Sequence, residues 1–576
     1  IMKKLFTNIK NFFKKLFKKE VNTEVVQSTH PVRKQYELND IPQELFSLAH
    51  QDESIHDTKF ETKPVSFIKD AMHRFAKNKA SVVAAILIAI ISLFAIIEPI
   101  VDPKNKVQSS LGFQDTYYSE VLPSLGDATR GSGFWDGSKK VEVRQDQYDF
   151  MRFTDAKRPI ISKFIKKEHI VVDSKFVHLR EEYDLYTVRQ DSYAMVGCQN
   201  INAQTQEQID AIKQYKKEKG VSILKPIVDV EGYINRFASE NGLSVTSTIV
   251  NNLKLIYNNR PYNYAYYEIV PKKNDNGDFI SGTAQVVIDE NDNCVPIYLQ
   301  DSNGDLVYQK DDGNGTYTIR VDYYEYFTYM YGFEPAYIFG ATGNGQDICL
   351  KLAKGIRFSL MLGIGISLIN FIIGLVYGAI SGYYGGVADL IMERVTDIIS
   401  TIPTIIIMTV CSIQFTNNVS LKASIGATGV LILSFLVAFV YNGWVGVAST
   451  TRMQFYRFKG QEYVLASRTL GAKDGRLIFK HILPNAAGTL VTSCVLMVPS
   501  VIFSESSLSF LGIVDFTFSG ISSVGALLDE GQKYLSSAPH MVLFPAIVIS
   551  ILMISFNLLG NGLRDAFNTS LRGSED

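Results

Sequence analysis

Glu462-Tyr-Val-Leu-Ala-Ser-Arg-Thr-Leu-Gly471-Ala-Lys-Asp-Gly-Arg-Leu-Ile-Phe-Lys-His-Ile482-Leu-Pro484-Asn485 decides the reading of this chain, because it is a charged, glycine-broken segment between two long apolar runs. Tyr463, Ala466 and Leu470 recur at three and four residues, the spacing of one apolar stripe on a short helix. A glycine at 471 can take the left-handed conformation that closes such a helix, and Pro484, after Ile478 and Ile482, is expected to stop a second one. The spacing therefore predicts two short helices joined by a sharp turn, a docking handle on a membrane protein. The plain alternative is an ordinary cytoplasmic loop.

The flanks of that segment place the chain in the membrane class, which its averages conceal. A 46% apolar content and a net charge of -1 would suit a large soluble protein. Read locally, residues 80–97, 358–388, 398–421, 426–449, 486–504 and 534–563 contain no Asp, Glu, Lys or Arg. A bilayer core needs about 20 apolar residues per helix, so these runs predict six crossings. Residues 1–79 hold fifteen Lys and Arg and 450–485 hold seven, whereas 416–425 holds only Lys422 and 505–533 only Lys533. Basic residues collect on the cytoplasmic side, so both termini and the Glu462 loop are expected inside. The expected division is a cytoplasmic region 1–79, a first transmembrane helix 80–101, an extracellular insert 102–345, and a five-helix core 346–576 with its cytoplasmic loop at 450–485.

Residues 2–19 carry seven Lys, with Leu5, Phe6, Ile9, Phe12, Phe13, Leu16 and Phe17 along one face. This pattern predicts an amphipathic helix lying on anionic membrane lipid, with a disordered basic tail as the alternative. The insert holds 22 of the 30 tyrosines. From Tyr264 to Tyr329, short β-prone runs (284–289, 295–299, 306–309, 317–321) alternate with turn clusters at 274–277, 289–292, 301–304 and 311–315, which predicts an antiparallel meander. Residues 204–243 look helical, so the insert is expected to be α+β, with most tyrosines as core aromatics. The acidic clusters lack the ligand spacing of a calcium loop and read as hairpin turns. Cys198 and Cys294 are the only cysteines of the insert, and an outside location would permit a disulfide between them.

No catalytic constellation and no metal-ligand spacing emerges from the eight histidines, and no Gly-x-x-x-x-Gly-Lys-Ser/Thr phosphate loop is present, so the chain is not expected to hold ATP itself. Glu505, just past the fifth apolar run, is the one acid near membrane depth and a candidate pathway residue; a helix end at the outer water boundary is the alternative.

The handle resembles the EAA loop of ABC importer permeases, with Glu462 as its glutamate, Ala466 and Ser467 as its small pair, Gly471 as its glycine and Ile482-Leu483-Pro484 as its close. Ser467 departs slightly, alanine being commoner there. Phe75-Ala-Lys-Asn-Lys79-Ala, Gly355-Ile-Arg357-Phe-Ser359-Leu, Gly382-Tyr-Tyr-Gly-Gly386, Ser506-Leu-Ser-Phe-Leu-Gly512 and Asn557-Leu-Leu-Gly-Asn-Gly-Leu-Arg564-Asp565 are similar to the C-type permease of oligopeptide and dipeptide importers. The likeness covers about residues 70–101 and 338–572; Thr342-Gly343 and Gly345-Gln346-Asp347 depart from the family's Thr-Asp and Gly-Arg-Asp.

That resemblance implies a mainly α, polytopic type I ABC importer permease with six transmembrane helices plus the inserted domain. It implies a non-catalytic subunit that forms half of a pathway for oligopeptides with a homologous B-type permease. Two cytoplasmic ATP-binding subunits would carry ATP and Mg, and an extracellular solute-binding protein would deliver the peptide; no nucleic acid is implied. Coupling roles fall on Glu462, Ala466, Ser467, Arg468, Leu470, Gly471, Ala472, Ile482 and Pro484. The same machine could import nickel, a glycoside or an opine. A surface interaction protein using the insert is the alternative of another class, and an intact handle argues against it.

Overall fold

The computed structural model describes residues 67–108, 114–174, 179–259, 266–274, 276–514 and 521–567. The expected lipid-bound helix 2–19 lies outside them. Among the described residues, five helices are long and apolar enough to cross a membrane: Lys79–Val101, Ile348–Tyr384, Val419–Lys459, Asp474–Phe510 and His540–Phe567. The third expected crossing, 398–421, is not one helix. Gly386–Ser400 and Thr404–Asn417 meet at 66°, and six crossings result only when this pair counts as one broken span. Pro403 explains the break: it sits extended before the second piece, and a proline both lacks the N–H that continues a helix and pushes its predecessor out of the helical region.

The first span is capped by Asn78, whose side chain accepts from the Ser81 N–H, and the second by Asp347, which accepts from the Cys349 N–H. At 37 residues the second span is about 55 Å long at 1.5 Å per residue, so it extends well beyond a bilayer core of about 30 Å. Its C-terminal half carries Gly374, Gly378 and Gly382 on one face. A Cβ at Gly378 would stand 2.2 Å from the Ala448 carbonyl oxygen, and one at Gly382 would stand 2.7 Å from that of Arg452. Small residues at every fourth position thus bring the second and fourth spans into backbone contact, the packing favoured where lipid supplies no hydrophobic drive between helices.

Between the first and second spans, the described residues build three small antiparallel sheets with helices packed on them. β1 (Ser138–Arg144), β3 (Leu179–Asp191) and β2 (Ile161–Ser174) form one in the order β1-β3-β2. β4 (Cys198–Gln204), β9 (Thr316–Asp322) and β5 (Leu224–Lys225) form a second, with β8 (Gln309–Gly313) also on β9; β6 (Ile269–Val270) pairs with β7 (Gln285–Val286). The helices expected within 204–243 are Gln206–Lys219, opened by a Thr205/Gln208 capping box, and Val230–Glu240, capped by Asp229.

Each acidic turn cluster closes a hairpin with a residue at positive φ: Gly277, Asp292, Gly304 and Gly315. The leading oxygen is consumed by the turn itself. Asp301 Oδ1 accepts from the N–H groups of Asn303 and Asp305, and Asp289 Oδ1 does the same for Asn291 and Asn293. Tyrosines do fill the core: Tyr233, Tyr257, Tyr266 and Tyr267 pack around Phe237 and Leu253, and the Tyr257 hydroxyl donates to the Tyr267 carbonyl at 2.9 Å.

The disulfide that Cys198 and Cys294 would permit does not form; both are free thiols. Cys198 is buried at the start of β4, while Cys294 lies on a hairpin with its sulfur 3.3 Å from the Tyr266 hydroxyl. Burial pushes both thiols up, which disfavours the thiolate that disulfide chemistry needs.

Candidate functional site

The handle folds as a two-turn helix, Glu462–Thr469. Glu462 lies in its first turn, where a carboxylate meets the positive end of the helix dipole. Gly471, at φ +82°, closes it: the Gly471 N–H donates to the Arg468 carbonyl at 2.9 Å and the Ala472 N–H to that of Ser467 at 3.1 Å. These two bonds are the paired closure of a left-handed C-cap, so the bend is set by backbone alone.

Which side of the helix faces the protein differs from what a buried stripe would require. Val464 is the fully buried residue, in a cluster with Tyr383, Phe455, Leu477 and Ile482, against which Ala472 packs. The stripe formed by Tyr463, Ala466 and Leu470 points outward instead, with Leu470 88% exposed. The Ser467 hydroxyl donates back to the Tyr463 carbonyl at 2.9 Å, so serine behaves there as a small, self-satisfied residue.

Arg468, one of the expected coupling residues, holds the helix in place through Tyr383 and Asp474, to which the sequence reading gave no role. Arg468 Nη2 donates to the Tyr383 hydroxyl at 3.1 Å, and that hydroxyl donates to Asp474 Oδ1. Tyr383 belongs to the last turn of the second span, so the handle is tied directly to a membrane helix. Nearby, Arg452 grips Asp389 through Nε at 2.6 Å and Nη2 at 2.7 Å and also reaches Glu393, while Lys459 donates to the Gly382 carbonyl. The handle-side ends of the second and fourth spans and the segment at 386–400 are thereby cross-linked.

Pro484 does not stop a helix. Residues Asp474–Phe510 run as one helical segment, with a wide π turn at Leu477–Ile482 and Pro484 in the first turn of Leu483–Phe510. A proline is tolerated in a first turn because its missing N–H would lack an ordinary partner, and the widened turn makes room for its ring. Ile482 is buried within that turn.

Glu505 is not at a wet helix end. It is fully buried inside Leu483–Phe510, with Ser359 Oγ at 2.9 Å, Ser506 Oγ at 3.3 Å and Ser509 Oγ at 3.4 Å donating to its carboxyl. The Ser359 contact ties the fifth span to the second. His540 is buried at the start of the last span, and a Cβ at Gly340 would meet its ring at 2.6 Å. Asp347, in the stretch that departs from the family pattern, is buried with Lys104 Nζ at 2.6 Å, joining the chain that enters the domain between the first two spans to the chain that leaves it.

Comparison with known proteins matches residues 374–573 to the binding-protein-dependent transport system inner membrane component family, and residues 66–118 to the N-terminal TM domain of oligopeptide transport permease C. The chain is 36% identical over 234 residues to the oligopeptide transport system permease protein OppC of Bacillus subtilis, covering 41% of this chain and 72% of that protein. It is 37% identical over 236 residues to the dipeptide transport system permease protein DppC of the same organism, covering 41% and 69%. A solved structure of the MetNI methionine ABC transporter, in inward-facing conformations, aligns with a TM-score of 0.30 at 17% identity, covering 38% of this chain and 95% of the matched one.

Proposed function

The chain belongs to the oligopeptide and dipeptide transport permeases of the binding-protein-dependent class, and on that premise we propose that it carries one half of a peptide pathway and takes its energy through the handle at 462–471. In this reading the termini and the handle lie in the cytoplasm and the domain between the first two spans lies outside. The observation that carries it is the uncovered stripe: a short helix, rigidly bent by Gly471 and anchored through Arg468 and Tyr383, presents Tyr463, Ala466 and Leu470 to solvent. An apolar face that its own protein leaves exposed suits a partner surface.

That partner is one of two ATP-binding subunits, which hold the ATP and Mg; no cofactor is assigned to this chain. Closure of the ATPase pair would push the handle as a rigid unit. Because Arg468 and Tyr383 join it to the second span, and Glu505 with Ser359 joins the fifth span to the second, the push would reach the helices flanking the pathway. A homologous permease supplies the other wall and an external binding protein delivers the peptide. The outer domain caps the pathway or receives that binding protein; removing residues 104–337 without effect on uptake or on binding-protein affinity would exclude this.

The test is capture of the solubilised chain with identification of its stoichiometric companions. The native chain should bring down an ATP-binding protein and a second permease. Leu470→Asp and Gly471→Pro should release the ATPase while retaining the permease. Retention of the ATPase by both variants, or its absence from the native chain, overturns the coupling role.

A further inference from the structure

At the seam between the outer domain and the membrane core lies a cavity of about 420 Å³ that the coupling function leaves unused. Its walls come from the segment 116–122, from β1 at Lys139, from the end of β3 and the turn that follows it, and from Gln199 on β4; Ser537, in the loop before the last span, closes one side. We propose that this cavity binds a short peptide as a zwitterion, with Glu120 receiving the free amino terminus and Lys139 the carboxylate. The proposal rests on the peptide reading given above and on the outward placement of the domain.

Three observations carry it. Glu120 sits at φ +58°, a left-handed conformation that costs a side-chain-bearing residue and that glycine takes freely. Strain of that kind persists where the surroundings over-determine it, and it points to a functional position. Here the Glu120 N–H is held by the Thr342 carbonyl, and its Oε2 accepts from Ser537 Oγ at 2.7 Å, so the carboxylate is fixed on the cavity wall from both ends.

Second, the cavity carries one charge of each sign and neither has an ion-pair partner among the described residues. Lys139 stands opposite Gln190 in the β1–β3 ladder, while Glu120 belongs to the segment 116–122; both line the cavity. An unpaired anion and an unpaired cation lining one space match the two ends of a peptide, and neither a single ion nor an apolar ligand would use both. Third, the remaining surface suits a peptide's middle. Tyr117 offers an aromatic wall, its ring 4.4 Å from that of Tyr323, and Gln190 and Gln199 offer amides. The volume falls within the roughly 300–1,000 Å³ of small-molecule sites. The seat is rigid, because a Cβ at Gly345 would stand 2.2 Å from the Asp115 carbonyl oxygen, leaving no play between the segment at 115 and the stretch that leads into the second span.

The experiment measures binding of radiolabelled trialanine, N-acetyl-trialanine and trialanine amide to the full chain in lipid nanodiscs. Native protein should bind trialanine and lose at least tenfold in affinity when either end is blocked. Glu120→Gln should bind trialanine as weakly as native protein binds the acetylated form and should no longer distinguish the two. Lys139→Met should behave likewise toward the amide. Glu120→Gly separates binding from folding: it should unfold at the native temperature or above, because its backbone strain is relieved, yet lose the same affinity. Native-like affinity in both charge variants, or no trialanine binding by the native chain, overturns the assignment. Uptake of trialanine by the assembled transporter in proteoliposomes then tells which premise failed: uptake without binding removes this cavity alone, and absence of uptake removes the peptide reading with it.

Discussion

The handle and the domain between the first two spans are built on opposite principles. In the handle, a two-turn helix is fixed by a left-handed glycine, one buried valine and one arginine–tyrosine contact, and its apolar stripe is left uncovered. In the domain between the first two spans, a core of tyrosines and phenylalanines packs inward and acidic turns at 289–292 and 301–304 are satisfied internally. The first region is few contacts with an apolar face left open, which the proposed function assigns to a partner; the second buries most of its apolar side chains within itself. Substitutions should therefore act through backbone geometry in the first and through distributed packing in the second, and that contrast can be attacked from either side.

The largest effect is expected where the second and fourth spans meet. Gly378→Leu would drive a side chain into the Ala448 carbonyl oxygen, 2.2 Å from the position of the new Cβ, in backbone that has nowhere to move. No monodisperse protein should survive solubilisation, read by size-exclusion chromatography. A folded Gly378→Leu protein would show that the seam is looser than the contact implies, and the claim of a rigid handle-side end would fall with it.

Next in size is the buried pair Arg320–Asp155 of the outer domain, whose side chains are 3% and 9% exposed. Asp155→Ala leaves a buried guanidinium without its partner, a change worth about 3–5 kcal/mol. It should lower the thermal unfolding of the outer domain, followed by its tyrosine signal, while the handle still captures its partner. Loss of both together would mean that the two regions are energetically one unit. A smaller effect belongs to Tyr383→Phe, which removes only the hydroxyl joining Arg468 to Asp474. Peptide-stimulated ATP hydrolysis by the assembled complex should fall a few-fold, on the order of the 0.5–1.5 kcal/mol net of one hydrogen bond. Unchanged stimulation would separate the handle from the second span.

Some of this was legible in the sequence and some could not have been. Hydrophobic runs locate the spans because a bilayer imposes length, and Gly471 announces its bend because few residues tolerate positive φ. Yet periodicity shows only that Tyr463, Ala466 and Leu470 share a face. It does not say whose interior that face belongs to, and the residue that packs at home is Val464. Tyr383 and Asp474 lie 91 positions apart, so nothing local links them. A proline that ends one helix and a proline that begins another look alike in sequence, and at Pro484 only the widened preceding turn tells them apart. The long β2–β3 hairpin went unread for a related reason. Its strands carry Lys163, Lys166, Lys167 and Glu168, and their pairing rests on register with each other rather than on a hydrophobic pattern.

The smallest expected effect sharpens the comparison most finely, because it concerns the part of the outer domain where a covalent staple was a fair expectation. Cys198 and Cys294 are free thiols, each buried enough to hold its sulfhydryl protonated at neutral pH. If packing alone completes this domain, replacing Cys294, whose sulfhydryl donates to the Tyr266 hydroxyl, by serine should change stability by no more than about 1 kcal/mol, the scale of a single hydrogen bond. Loss of a native disulfide from a domain of this kind would cost about 2–5 kcal/mol. Intact-mass measurement after denaturation and alkylation, without reductant, should find both cysteines modified. An unmodified pair two mass units lighter, together with a large loss of stability in Cys294→Ser, would mean that the outer domain is stapled after all. Its contrast with the handle would then be one of covalent chemistry rather than of packing.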